Sequence, residues 1–339
     1  MRTYEIASYI TLFSFFSTLL VNSLLIYLTI FRIKLIHGPY KWMIVIFAFI
    51  GILFSFEEVI VRPCIHNFNG AFMFFSLNDY LPKWILFYVA ACYGGFVSNL
   101  LAFVAMQFLF RYWTLSNSRM IKTFRGIRVL FWVVFIMTPS VLYATFTILL
   151  VSPDEFSDSY MEQEIWEVYN LKLTEVTRFI ILAYENDSIR WRNSFYVVTT
   201  CAIFSTSFLI ITYCALRMRQ EMKTCLEKMS EKNSRLETQF FKALICQIAF
   251  PTFLLVLPIG PVVLLPFLDL QVSLQTGFMF SLFSLYPPMD SIAMMMIITE
   301  YKKHIGREYI LLEGPLDMVL QICGFKFVIH VATFLQQRH

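Results

Sequence analysis

The chain has 339 residues, of which 58% are apolar, 18% aromatic and only 15% charged, with a net charge of +4. Soluble domains carry about 25% charged residues, so this composition excludes a water-soluble globular protein and points to one that lives in a membrane. No glycine-rich phosphate loop, G-x-S-x-G or H-E-x-x-H occurs, the five histidines are far apart, and the seven cysteines form no C-x-x-C. Nothing therefore supports catalysis, a metal centre or a cofactor.

The N-terminus lacks a small-residue cleavage site and runs straight into an apolar stretch, which is expected to insert as a signal anchor. Seven stretches are long and apolar enough to span, at about 20 residues each. Their expected limits are 7–31, 42–61, 84–110, 129–151, 194–216, 243–266 and 276–298. The fold class is thus an all-α seven-transmembrane helix bundle. No internal repeat is visible, which argues against an inverted-repeat transporter.

Lys and Arg are unevenly shared between the connecting segments. Segments 32–41, 111–128 and 217–242, with the residues just after the last span, hold eighteen, and the opposite side holds seven. The positive-inside rule makes the richer side cytosolic, with the N-terminus outside and the C-terminus inside. That orientation is opposite to the N-inside arrangement of insect-type receptor channels. The basic residues flank the bilayer in short segments, which insertion explains without nucleic acid. The cysteines (64, 92, 201, 214, 225, 246 and 323) lie mainly in apolar stretches and are expected to be small buried residues.

Polar residues inside the spans carry alternatives. Glu57 and Glu58, near the outer end of the second span, are expected to snorkel to the interface, with a pocket role as the minority reading. Asn22, Asn99, Gln107 and Gln247 are expected to be interhelical glue, at about 0.6 kcal/mol per bond. Aromatics such as Phe72, Tyr88, Tyr93 and Phe96 are expected to pack and anchor. An apolar, aromatic cavity in the outer half of the bundle would suit a small lipophilic ligand. Phe110-Arg111-Tyr112-Trp113 ends the third span, where the arginine is either a positive-inside anchor or a latch between helices three and six.

The loop over 152–193 carries nine carboxylates against four basic residues, and its Asn186-Asp187-Ser188 is a glycosylation sequon. It has no cysteine, so no disulfide can tie it to the third helix. Segment 217–242 lacks Gly and Pro, and Glu231 precedes Arg235 in the favourable i, i+4 order, so helix is expected. Met218, Met222, Cys225, Met229 and Leu236 recur there at helical spacing. Its Lys223, Lys228, Lys232, Arg235 and Lys242 make a basic surface suited to a partner. The last span holds Leu285-Tyr286-Pro287-Pro288-Met289-Asp290. Prolines kink a membrane helix and an aspartate at that depth must face other helices. The helix is either a kinked, buried element with one satisfied carboxyl or a bistable switch.

Several ordered pieces resemble the nematode seven-transmembrane chemoreceptors of the Str family. They are Gly38-Pro39-Tyr40-Lys41, Arg62-Pro63, Phe110-Arg111-Tyr112 and Tyr184-Glu185-Asn186, followed by Phe240-Phe241-Lys242-Ala243-Leu244 with Gln247, Pro251 and Thr252. Pro266-Phe267-Leu268-Asp269 and Leu285-Tyr286-Pro287 with Asp290 complete the set, over roughly residues 5–305. The resemblance implies a G-protein-coupled receptor that binds a small odorant or other environmental chemical and activates a heterotrimeric G protein. It further implies residence in the plasma membrane, in the cilium of a sensory neuron. By that likeness Arg111 and Tyr112 correspond to a helix-three signalling motif, and Tyr286, Pro287 and Asp290 to a helix-seven switch. The chain departs from the family in having Ser291 where a second proline is usual. The likeness is expected to end near Ile305, so that residues 1–305 form the receptor domain. Residues 306–339 form an atypical cytosolic tail, either an interfacial helix or a misassigned exon. Lys326 sits near the centre of its apolar run, at an insertion cost of roughly 2.5–3.5 kcal/mol, which disfavours an eighth span. The alternative function is a ligand-gated channel or small-molecule transporter, which needs a polar path through the bundle.

Overall fold

The computed structural model describes residues 3–36, 38–116, 118–186, 188–225, 230–268, 273–274 and 281–305, with the side chains of 3–5, 223–224 and 255 excepted. Lys228, Met229, Asp269, the start of the seventh span over 276–280, the tail 306–339 and the side chain of Lys223 lie outside the described residues.

Among the described residues six helices are long and apolar enough to cross a bilayer, and there are seven spans when the bent pair Ser281–Ile297 and Thr299–Ile305 is taken as one. In chain order the elements are α1 (Thr3–Tyr27, prolonged by a π turn over Leu28–Arg32), α2 (Pro39–Val61), β1 (Pro63–Phe68), β2 (Ala71–Ser76) and α3 (Lys83–Leu115). Then come α4 (Val129–Leu150), α5 (Glu155–Tyr169), β3 (Arg178–Leu182), β4 (Tyr184–Glu185), β5 (Ser188–Ile189) and α6 (Trp191–Cys225). The chain closes with α7 (Glu231–Pro251), α8 (Leu257–Leu264), β6 (Ser273–Leu274), α9 (Tyr286–Ile297) and α10 (Thr299–Ile305). The sixth span is α7 and α8 joined by a π turn over Thr252–Val256, just after Pro251, whose missing N–H breaks the regular ladder.

The expected helix over 217–242 is present on both sides of its undescribed middle: α6 runs on to Cys225 and α7 starts at Glu231. The Glu231–Arg235 ion pair closes at 2.5 Å. Large apolar side chains on the outer faces of α1, α4 and α6, among them Phe16, Phe131, Val134 and Leu209, are exposed. In water such a belt is unfavourable, whereas in a bilayer it meets hydrocarbon. This is a multi-pass membrane protein.

The seventh span breaks differently from a simple proline kink. Helix over 281–283 gives way to a turn at Ser284 and Leu285, and α9 starts immediately before the prolines. Pro287 and Pro288 thus occupy its first turn, where a missing N–H costs no helical bond. A second bend of 94° at Ile298 turns α10 away, held by Thr29–Tyr301 at 2.7 Å.

Helix α3 is the central post, packed against α2, α4, α6 and α7. Its Gly94-Gly95 pair lets α4 approach closely: a Cβ on Gly95 would lie 2.8 Å from the Ser140 carbonyl. At one end the loops fold into a cap. Asn69 and Gly70 take φ of 37° and 86°, as a two-residue hairpin turn requires, and join β1 to β2. The sheet order is β3-β2-β1-β6, all antiparallel, so strands from three separate loops pair. Strand alternation splits its faces. Phe72, Phe74, Phe179 and Ile181 join the bundle core, while Met73, Phe75, Ile180 and Leu182 pack under α5 with Met161 and Ile165.

Gly95→Ala is expected to push α4 away from α3 and cost about 1–3 kcal/mol, as overpacking does. A lowered thermal midpoint of the detergent-solubilised protein checks this, and an unchanged midpoint would mean that the contact is not tight.

Candidate functional site

Below the sheet lies an apolar cavity of about 520 Å³, walled by α3, α4, α6, α8 and the inner face of β2 and β3. Its size is that of small-molecule sites. Of the aromatics singled out in the sequence, Phe72 and Tyr93 line it, whereas Tyr88 is exposed and Phe96 packs on Phe54. Its polar points are hydroxyls: Thr147 Oγ1 and Tyr196 Oη lie 3.1 Å apart on the wall, and no charged side chain lines it. A charged ligand would lose its hydration without a counter-ion, so the cavity suits uncharged molecules.

Glu58 corrects an expectation. It does not snorkel: its side chain turns inward, 1% exposed, and its Oε1 accepts from Tyr93 Oη at 3.3 Å. The residue lies on the inner side of α2, so the bundle geometry, not side-chain length, decides its direction. Glu57 is half-buried. The cysteine reading also divides: Cys64, Cys214 and Cys246 are buried, but Cys92 and Cys201 are exposed. Burial pushes the Cys64 thiol, on β1, up to about 12, so it stays protonated.

Beneath the cavity a small void of about 20 Å³ rests on Pro251, Phe283 and Tyr286, and Val97, Phe204, Phe208 and Val256 border both spaces. Tyr286 stacks on Phe283 at 5.6 Å. Pro287 leans toward Gly51, whose added Cβ would come within 3.2 Å of it and within 2.8 Å of Asn22 Nδ2. Asn22 itself donates to the Ala48 carbonyl at 2.8 Å. Asp290, 3% exposed, accepts from Gln247 Nε2 at 3.1 Å, and its Oδ1 has no partner. The carboxyl is therefore half satisfied. Asn99 makes only a long contact to the Met137 sulfur of α4 at 3.9 Å, and the Gln107 amide is buried with no partner among the described residues, so Gln107 does not supply the interhelical bond expected of it.

At the opposite end from the cap, Arg111 is buried at 4% exposure. Its guanidinium is clamped between the rings of Tyr40 and Phe240, 3.7 Å from each centroid, and Nη1 reaches Glu237 Oε2 at 3.1 Å. Of the two sequence readings, the surface anchor fails, because the side chain points into the bundle. The link to α7 is present. Tyr112 does not share the cluster; it faces α6, edge-on to Tyr213 at 6.2 Å. Lys232 and Arg235 are exposed on α7 and Lys242 is half-buried, while Asn186 is exposed in the β4–β5 turn. Glu237 went unread in the sequence because one glutamate in a charged helix carries no distinguishing signal. Tyr40 and Phe240 stood within the resembling motifs without a role.

The cap has a polar centre that sequence reading missed. His66 on β1 is fully buried; its Nε2 donates to Glu164 at 3.0 Å, and Tyr169 Oη lies 3.3 Å from its Nδ1. Glu164 also accepts from Ser273 at 2.6 Å. Beside it, Arg178 pairs with Asp158 at 2.5 Å, and Arg190 and Arg192 converge on Asp154, the N-cap of α5.

A bundle of seven spans around a central third helix, roofed by loops over a ligand-sized cavity, defines a seven-transmembrane receptor fold. The structure superposes on squid rhodopsin with a TM-score of 0.56 over 94% of this chain and 87% of that one, at 15% identity. The sequence matches the family described as serpentine type 7TM GPCR chemoreceptor Str over residues 7–306, and the chain belongs to that family. It is 37% identical to the G-protein coupled receptor str-33 of Caenorhabditis elegans over 86% of this chain and 87% of that protein. It is also 24% identical to the C. elegans serpentine receptor class r-10, over 79% and 80% of the two chains. The family is one of chemoreceptors, which supports a chemoreceptor role for the chain.

Burial pushes His66 below its ordinary value of 6.5, against an upward pull from Glu164. The unfolded chain then takes up the proton first, so cap stability is present above that value and is lost as pH falls through it. Amide-exchange protection in β1 and α5, measured relative to the intrinsic rate at each pH, is expected to fall between pH 7.5 and 5.5, and His66→Gln is expected to flatten that fall. Equal pH dependence in the variant would remove His66 from the account.

Proposed function

We propose that this protein detects a small uncharged chemical in the cavity beneath the cap and passes the event to a heterotrimeric G protein at the basic end. The observation that carries the reading is the shared wall. Phe204, Phe208, Val97 and Val256 touch both the cavity and the void that rests on Pro251 and Tyr286. A ligand filling the cavity presses on side chains that border the π turn of the sixth span and the broken seventh span. Both are places where a helix has two packings within reach.

The cap end is taken as outside and the basic end as cytosolic. In this arrangement Glu237 holds α7 against α3 through Arg111. Opening the inner ends of α6 and α7 separates that pair and exposes the surface around Lys232, Arg235 and Lys242 to the partner. The ligand need only bind the open conformer better than the closed one. Asp290 and Gln247 lie between cavity and latch and serve as the joint that must repack, with Tyr286 and Pro287. Tyr112, facing α6, bears on the position of that helix. Asn186 is the proposed glycan acceptor, and the plasma membrane of a sensory cilium the proposed residence.

Glu237→Gln removes the charge that holds Arg111 and is expected to raise ligand-free signalling by roughly fivefold or more, the lower end of typical coupling. Arg111→Ala is expected to lower ligand-evoked signalling at equal surface expression. Both are read in cells carrying a cyclic-nucleotide or calcium reporter, with and without G-protein blockade. Responses that persist under blockade would favour a channel, and two silent substitutions would remove the latch.

A further inference from the structure

The cavity is not open in every direction. At the cap end Phe72, Phe179 and Ile181 are buried, and the sheet closes the roof. Among the described residues, the cavity-lining side chains that are exposed number five: Cys201, Ser205, Leu209 and Thr212 on α6, and Leu264 on α8. The four on α6 recur at intervals of four, four and three residues, which is one helical stripe. Helix α6 packs chiefly on α3 and α4, so this stripe borders a slot between the fifth and sixth spans. The slot lies within helices that cross the bilayer, and Leu209 in it is 70% exposed.

Elsewhere on α6, Thr199, Thr200 and Thr206 return their hydroxyls to a carbonyl one turn back at 2.8, 2.9 and 2.8 Å. Ser205 and Thr212 make no such bond and have no other partner among the described residues. A free hydroxyl facing hydrocarbon is costly, and one beside a passing polar group is not.

We infer that the cavity opens sideways into the bilayer between α6 and α8, and that its ligand is an uncharged, lipid-soluble molecule with a polar group that arrives dissolved in the membrane. This rests on the proposed reading of the cavity as the ligand site. The apolar walls accept the hydrocarbon part, the free hydroxyls of Ser205 and Thr212 meet the polar group at the mouth, and the Thr147–Tyr196 pair meets it inside.

The test uses the full chain in phosphatidylcholine vesicles that contain a phosphatidylcholine whose acyl chain ends in a diazirine. A parallel sample contains a free, uncharged aliphatic ketone bearing the same group. After illumination, labelled peptides are mapped by mass spectrometry. Phe131 and Val134, on the outer face of α4, serve as the internal reference for lipid contact and folding. With a lateral mouth, the acyl-chain probe labels the inner wall at Thr147 and Val151, which are otherwise buried. Leu209→Trp, at an exposed position, is expected to lower that inner labelling about tenfold, the low end of the one to three decades over which association rates vary among variants of one site. The reference labelling stays unchanged. If the free ketone labels the inner wall saturably and the acyl-chain probe does not, the lateral mouth is overturned while the cavity remains a ligand site. If neither probe reaches the wall, both readings fail.

Discussion

A buried guanidinium cannot be left alone in a low-dielectric interior, and Arg111 organises one end of the bundle through that constraint. Its needs recruit three helices: Tyr40 from α2, and Phe240 with Glu237 from α7, close around a residue of α3. Two aromatic faces supply attraction without a counter-charge, the carboxylate takes up Nη1, and Nε and Nη2 have no hydrogen-bond partner among the described residues. The arrangement is stable yet divisible. Moving α7 away breaks the ion pair but leaves the Tyr40 ring in place, so the arginine keeps part of its shelter in either state. A charge held in this manner suits a two-state element better than an apolar contact, whose loss would be gradual.

The other end is organised by shape and by roofing. The hairpin between α2 and α3 pairs with a strand from the loop between α4 and α6, and α5 covers the outer face. Its inner face forms the ceiling of the cavity. Between ceiling and latch, the packing is deliberately incomplete in physical terms: a void, a π turn and a helix break lie at one level, near Asp290 and its half-satisfied carboxyl. Dense interiors resist deformation and transmit it as discrete repacking. Defects gathered at one level give that repacking a place to occur.

Much of this was legible in the residues. The spans follow from length and apolarity, the helices on either side of the undescribed middle of 217–242 from the absence of Gly and Pro, and the inward aspartate of the seventh span from the cost of exposing it to lipid. Glu58 was misread because the sequence shows how deep a residue sits but not which side of its helix meets neighbours. The cap was hidden for a related reason. Asn69-Gly70 between alternating apolar residues is a hairpin signal, but its partner β3 lies over 100 residues later, and no local pattern announces that pairing. The His66–Glu164–Tyr169 centre combines residues from β1 and α5 and is equally invisible locally. What remained out of sight was tertiary in origin: which glutamate meets the arginine, and where the walls leave a gap.

The non-local pairing of β2 with β3 also orders the protein's birth. Residues 71–75 are synthesised well before residues 178–182, and until α3 and α4 have been inserted the hairpin has no third strand and no helix to cover it. Closing so long a connection is slow compared with inserting a helix. With no cysteine in the α4–α6 loop, closure needs no oxidase and leaves no covalent record. The ceiling can pair only after the fourth span is in place, and the cavity beneath it, walled also by α6 and α8, is complete only in chains whose first six spans have been threaded correctly. The cavity and the assembly of the bundle depend on the same few strands.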